Sequence, residues 1–88
     1  MKLKDGFIIS AISGVSYAVP VGERSTEFKG MIKLTGIGEY IWKKLVDGIE
    51  FDALVDAVTG EYEVDRATAE SDARAFCEKL REAGVLAD

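Results

Sequence analysis

Histidine is absent from this 88-residue sequence, and cysteine and proline each occur once. Without histidine, the chain lacks the side chain that most often acts as a general base near neutral pH, and also a common metal ligand. The single cysteine, Cys77, excludes an intrachain disulfide and a Cys-x-x-Cys site. These absences predict a protein that is not an enzyme and that carries neither a metal nor another cofactor.

Long apolar runs are absent as well. After a short charged start, the mostly apolar stretch Phe7–Ser13 has about seven residues, whereas roughly 20 are needed to span a bilayer. No small-residue cleavage site follows this stretch, as a secretory signal would require. We therefore expect a soluble cytoplasmic protein without a membrane segment.

Nucleotide and calcium motifs are incomplete. The pair Gly36-x-Gly38 begins like a dinucleotide-binding loop, but Ile41 occupies the third glycine position. The many carboxylates between Asp47 and Asp65 do not have the spacing of a calcium-binding loop. We interpret them as a solvated acidic face.

Charge is unevenly distributed along the chain. The 11 basic and 16 acidic residues give a net charge of −5. Residues 1–34 carry five basic and three acidic residues, a net +2, whereas residues 35–88 carry six and 13, a net −7. The apolar fraction of 48% is typical of a globular chain, and the length fits a single domain over residues 1–88.

Apolar and polar residues alternate with a period of two in the first part of the chain. Two such runs, Phe7–Ile12 and Val15–Val21, flank the turn signal Ser13-Gly14 and predict a β-hairpin. The polar stretch Gly22–Glu27 predicts a loop, and Gly30–Leu34 predicts a short third strand.

The rest of the chain has the period of three amphipathic helices. We expect Thr35 to be the N-cap of the first helix and Gly48 to end it. The second helix is predicted over residues 51–60, and the third over residues 65–84 with Asp65 as its cap. The order β-β-β-α-α-α indicates an α+β, winged-helix-like domain with an N-terminal three-stranded antiparallel sheet.

Cys77 and Trp42 have both structural and functional interpretations. Cys77 adjoins the apolar stripe of the third helix and lacks an activating partner, so we expect it to pack in the core. Trp42 lies at the border of the first helix's apolar face. Its ring fits either a cover of the core or an anchor of an interface.

Two kinds of binding fit such a domain. The alternative function is a winged-helix DNA-binding regulator, but the third helix balances four basic against four acidic residues and has no Asn or Gln to read bases. We therefore expect no nucleic acid partner. The exposed edge of a small sheet offers unpaired backbone groups to an extended peptide, or to a second copy in a homodimer. Such an edge can instead be protected against pairing by Lys29, Lys33 and Pro20. The hydrophobic period and the charge alone favour neither the peptide-binding edge nor the protected edge.

An ordered set of motifs resembles the PqqD family. The strand-to-helix junction Gly30–Gly38, followed by Ile41-Trp42, resembles the hydrophobic strand, cap and aliphatic-Trp pair of that family. The similarity covers about residues 6–86 and continues through Asp47-Gly48, Tyr62–Val64, Ala69-x-x-Asp72-Ala73-x-x-Phe76-Cys77-x-x-Leu80 and Ala83–Leu86.

The resemblance implies a noncatalytic domain that binds the leader of a ribosomally made precursor peptide. Such domains present the peptide to a modifying enzyme, often a radical SAM enzyme, in pyrroloquinoline quinone (PQQ) synthesis or a related pathway. The leader is expected to add as an antiparallel strand along the third strand, beside the third helix. The strand residues that this implies are Met31, Ile32, Lys33 and Leu34.

The apolar stripe of the third helix has two flanks that can face the peptide. One flank consists of Thr68, Asp72, Ala75 and Lys79, and the other of Arg66, Glu70 and Cys77. We choose the first flank because Asp72 occupies a recurring position of the family's motif.

Overall fold

The computed structural model describes residues 1–27 and 30–87. Three strands precede three longer helices, so the predicted α+β class and order are confirmed. The elements are β1 (Phe7–Ile12), β2 (Val15–Pro20), α1 (Arg24–Glu27), β3 (Ile32–Leu34), α2 (Gly38–Asp47), α3 (Phe51–Glu61) and α4 (Arg66–Glu82). The suggested edge-protecting role of Lys29 lies outside the described residues.

The predicted hairpin joins β1 and β2 in antiparallel register through a two-residue loop, with Ile12 opposite Val15. Ser13 and Gly14 have φ angles of 53° and 81°. Two positive φ values in succession characterise the type I′ turn, whose twist matches that of the flanking strands. Pro20 is the last residue of β2, which agrees with the expectation that it lies at a strand end.

The predicted loop over Gly22–Glu27 contains the one-turn helix α1. The hydroxyls of Ser25 and Thr26 donate to the carbonyl oxygens three residues earlier, at 2.6 and 2.8 Å. Arg24 holds the turn against the N-terminal segment, because its Nε donates to the Asp5 carbonyl at 3.0 Å. A single turn has no apolar period, so the sequence pattern could not indicate it.

The start of α2 also differs from the expectation, because Thr35 is not its cap. The helix begins at Gly38, and Ile37 in the N-cap position has no side-chain acceptor. The Gly38 N–H donates to the Thr35 carbonyl at 2.8 Å, and Gly36 has a φ of 57°. A β-turn with glycine at a positive φ therefore separates Thr35 from the helix.

The other helix boundaries agree with the sequence. Gly48 follows the end of α2 with a φ of 92°, and Gly84 follows α4 with a φ of 78°. The Asp65 carboxylate caps α4 by accepting the Thr68 N–H at 2.7 Å.

One apolar core joins the sheet to the helices. Trp42 is only 2% exposed and meets Phe7 edge-on at 5.7 Å between ring centroids, so it covers the core. Cys77 is buried, as expected. The chain ends pack together through an isolated bridge between Leu3 and Leu86. The core residues are Leu3, Ala18, Ile32, Leu34, Ile41, Trp42, Leu45, Leu54, Val55, Val58, Ala69, Ala73, Cys77, Leu80, Val85 and Leu86.

Candidate functional site

The hydrogen-bonding direction of β3 follows from the hairpin. A two-residue loop places its flanking residues, Ile12 and Val15, in a hydrogen-bonded pair. The Val21 N–H donates to the Gly6 carbonyl at 2.8 Å, which continues the same alternation. The backbone N–H and C=O groups of the odd-numbered residues of β2 therefore form hydrogen bonds with β1, and those of the even-numbered residues form hydrogen bonds with β3.

β3 consequently has one unpaired backbone position within the strand. Ile32 and Leu34 lie opposite Ala18 and Ser16 and use their N–H and C=O groups in the sheet. The N–H and C=O of Lys33 point the other way, to the outer edge of the sheet. The strand order is β1-β2-β3, and no further strand of the described chain pairs with β3.

The side chains of the predicted strand residues divide between two environments. Ile32 and Leu34 are buried in the core, whereas Lys33 is exposed. Met31 lies just before β3 rather than in it, and its side chain is 53% exposed. Only Lys33 thus combines a free backbone edge with an accessible side chain inside the strand.

A cleft of about 300 Å³ lies beyond the end of β3, between the β3–α2 connection and α4. Three of the four helix residues expected from the sequence line it: Asp72, Ala75 and Lys79. The fourth, Thr68, is exposed one turn earlier in α4 and is not part of the lining. The remaining lining residues are Thr35, Ile37, Gly38 and Phe76.

The sequence pattern did not assign these four remaining residues to the site. A signal for Phe76 exists, because it lies four residues after Asp72 and therefore on the same helix face. The Gly36-Ile37-Gly38 segment is separated from the strand only by Thr35, but its turn depends on a backbone angle that the sequence does not display.

Close contact between two helices forms one wall of the cleft. A Cβ atom added to Gly38 would lie 3.2 Å from Cε1 of Phe76. The glycine therefore lets the phenyl ring pack against the first turn of α2. Near the start of α2, the Ser16 hydroxyl and Lys43 lower the pKa of the Glu39 carboxyl below its ordinary value.

The other flank of α4 is engaged elsewhere. Arg66 forms an ion pair with Asp56, and Glu70 pairs with Arg74 at 3.2 Å. Cys77 is buried, and desolvation raises the pKa of its thiol, which disfavours the reactive thiolate. A larger depression of about 570 Å³ is lined only by α4 residues, so no second element forms an opposite wall.

The cleft combines an apolar centre with opposite charges. Ile37, Ala75 and Phe76 supply the apolar lining, and Asp72 and Lys79 add a carboxylate and an ammonium group. Such a surface suits an apolar side chain with polar neighbours, as in an extended peptide. In residues 1–27 and 30–87, no group of three or more acidic or cysteine side chains is arranged to hold a metal ion. None of the helices in this part of the chain has the length and apolar character to cross a membrane.

These features define a small α+β domain whose open sheet edge adjoins a cleft between the β3–α2 connection and α4. The family model for Coenzyme PQQ synthesis protein D (PqqD) matches residues 20–86. The chain therefore belongs to the PqqD family, as the sequence motifs indicated.

A solved structure shares this fold over nearly the whole chain. It is TbiB1 in complex with the TbiA(beta) leader peptide, with a TM-score of 0.74 and 29% sequence identity. The similarity covers 99% of this chain and 95% of the TbiB1 chain. No curated protein sequence gives a significant match.

Proposed function

We propose that this protein binds the leader of a ribosomally made precursor peptide and presents it to a modifying enzyme, without catalysing a reaction itself. The observation that carries the proposal is the open edge of β3 beside the α4 cleft. Membership of the PqqD family and the fold shared with a leader-peptide complex support it.

Binding occurs by strand addition. The leader pairs with the outer edge of β3, where the Lys33 N–H and C=O are unpaired. Because successive residues of an extended peptide point to opposite sides, alternate leader side chains reach the cleft near Asp72 and Lys79. The main-chain hydrogen bonds give general affinity, and the cleft gives selectivity among leaders.

Presentation follows from tethering. A bound leader keeps the attached core peptide close to the enzyme's active site and so raises its effective concentration. The family resemblance favours a radical SAM enzyme as the partner, in PQQ synthesis or a related peptide pathway.

A proline at position 33 tests the open edge. Lys33→Pro removes an amide that the sheet does not use, and the proline ring obstructs the edge. We expect the variant to fold and to bind the leader peptide encoded beside its gene at least about tenfold more weakly than the wild type. The reason is that one backbone hydrogen bond is lost and the proline ring displaces the neighbouring part of the leader. Fluorescence anisotropy of the labelled leader measures binding, and circular dichroism measures folding.

Two variants control for side-chain and sheet effects. Lys33→Ala keeps the amide, so its affinity should stay within a few-fold of the wild type. Ile32→Pro removes an amide that bonds to Ala18 and should destabilise the sheet itself. Wild-type affinity in a folded Lys33→Pro protein, or amide NMR shifts on leader binding that cluster in α3 instead of residues 30–35 and 72–79, would contradict strand addition.

A further inference from the structure

The sheet has a second face that turns away from the helices. On the core side, Ala18, Ile32 and Leu34 are buried. The strand register places every second residue on the opposite side. We call this surface the outer sheet face; it consists of Ile8, Ser10, Ile12, Val15, Tyr17, Val19 and Lys33.

Exposed apolar side chains concentrate on this face. Ile8 and Ile12 are 52% and 47% exposed. Val21 continues β2 on the same side, Met31 adjoins β3, and both are exposed. Four of the six large apolar side chains found exposed in the described residues are thus on or beside the outer sheet face. Apolar side chains gathered in this way mark an interaction surface, whereas single ones do not.

The face also differs in charge from the rest of the molecule. Lys33 is its only charged residue, although the whole chain has a net charge of −5. The carboxylates that dominate residues 35–88 are excluded from it. A complementary partner therefore offers an apolar patch with an acidic side chain opposite Lys33.

The size of the face argues against a second copy as the occupant. Three strands of this length cover a projected area of roughly 300 Å², and four of the seven side chains on the face are mostly buried. A stable protein–protein interface needs about 800 Å² on each partner. Two copies that pack face to face bury too little surface for a stable dimer.

A leader strand on β3 enlarges the same face. It extends the sheet by one more strand, about 4.8 Å away, and alternate leader side chains stand beside Lys33 on the outer side. A protein that contacts the hairpin, the leader strand and the peptide beyond it gains the missing area. The peptide-modifying enzyme must contact that peptide in any case.

We propose that the outer sheet face is the docking surface for the peptide-modifying enzyme, which contacts the hairpin and the bound leader as one continuous sheet. This proposal rests on the proposed leader-binding function. The enzyme side of the contact is an apolar patch with a carboxylate placed to pair with Lys33. Docking on this face leaves the α4 cleft to the leader, so the two partners bind without competition.

The test is a double substitution, Ile8→Thr with Ile12→Thr. Threonine keeps the β-branched shape that favours strands but replaces an exposed apolar group with a hydroxyl. The matched control is Val46→Thr, because Val46 is 51% exposed but belongs to α2 and not to the outer sheet face. The probes are the purified modifying enzyme encoded beside the gene and the synthetic leader encoded there.

We expect the double variant to bind the enzyme at least about tenfold more weakly, as when central apolar contacts of an interface are lost. Its leader affinity should equal that of the wild type, and Val46→Thr should change neither. If circular dichroism shows the double variant to be unfolded, Val19→Thr, an isosteric change on the same face, replaces it.

Several outcomes overturn the proposal. They are wild-type enzyme affinity in the folded double variant, no enzyme binding by the wild type, and a wild-type dimer that the double variant abolishes in sedimentation. A wild type that binds the enzyme but not the leader refutes the proposed leader function instead. In that case a loss of enzyme binding in the double variant assigns the enzyme contact to the hairpin alone and overturns the continuous sheet that includes the leader.

Discussion

At the start of α4, a single carboxylate determines where the helix begins. Asp65 accepts the Thr68 N–H, and hydrogen bonding from the side chain and the backbone of Thr68 lowers the pKa of Asp65 below its ordinary value of 3.8. A group whose pKa is lower in the folded state stabilises the fold when it is ionised. The stabilisation is complete above the unfolded-state pKa and disappears as the pH falls through the folded-state pKa.

The cap predicts a pH-dependent difference between two variants. Asp65→Ala should lower the melting temperature at neutral pH, and its difference from the wild type should shrink as the pH falls below about 3.8. Asp65→Asn keeps an acceptor for the Thr68 N–H, so it should retain most of the neutral-pH stability. Thermal unfolding followed by circular dichroism from neutral to acidic pH measures both. A difference for Asp65→Ala that stays constant with pH contradicts the assignment.

Asp65 and Thr35 show how far a single residue can be interpreted from sequence. Each is a short polar residue before an apolar helical row, and each was expected to cap a helix. The structure uses Asp65 but not Thr35, because Gly36 takes a positive φ and a turn precedes α2. Sequence shows that a glycine can adopt such an angle, but not that it does.

At the scale of elements, the hairpin turn determines which part of β3 is open. Alternation in the sequence indicates which side chains share a face, but not which amides face a neighbouring strand. The two-residue loop at Ser13-Gly14 fixes the register, and the register assigns the free edge to Lys33. The sequence thus predicted the strand of the candidate site. Which residue of that strand has its backbone N–H and C=O at the open edge could be determined only from the strand pairing in the structure.

The contact between α2 and α4 predicts a selective effect of one methyl group. Gly38→Ala improves helix propensity by up to about 1 kcal/mol, but its Cβ presses on Phe76, which lines the cleft. Because the ring is only half-buried, it can shift and leave the free energy of unfolding little changed. We expect weaker leader binding in a protein of near wild-type stability, measured by anisotropy and urea unfolding.

Gly60→Ala is the matched control for this change. A Cβ at Gly60, in α3, would have no neighbour within 4 Å. The control should gain stability of up to about 1 kcal/mol and keep wild-type leader affinity. Equal leader affinity in both variants would show that the Phe76 wall of the cleft does not touch the peptide.

For the whole molecule, the apolar pattern was enough to predict that the helices pack on the sheet. It was not enough to predict which residues of the two layers contact each other. The stripe of α4 and the returning Val85-Leu86 segment form the core as expected. Of the predicted helix flank, Asp72, Ala75 and Lys79 meet the β3–α2 connection, while Thr68 does not. A helical wheel gives the direction of a side chain but not the position along the axis at which another element crosses. The extent of the cleft along α4 could therefore be determined only from the packed structure.

Charge pairing across the whole molecule leads to a prediction about nucleic acid. Three of the four basic side chains of α4 are close to carboxylates: Arg66 to Asp56, Arg74 to Glu70 and Arg81 to Glu78. Phosphate binding would have to displace these partners while the net charge of −5 repels the duplex. Counterion release, which provides most nonspecific DNA affinity, needs unpaired cations.

We therefore expect no association with duplex DNA at micromolar protein in about 50 mM or about 200 mM salt. Fluorescence anisotropy of a labelled duplex is the measurement, and the labelled leader peptide in the same buffers confirms that the protein is active. Salt-dependent DNA binding would favour the DNA-binding regulator instead, because affinity that falls steeply between these salt concentrations requires several phosphate contacts. Leader binding that persists at both concentrations agrees with recognition through backbone hydrogen bonds and an apolar cleft, since neither depends on long-range charge.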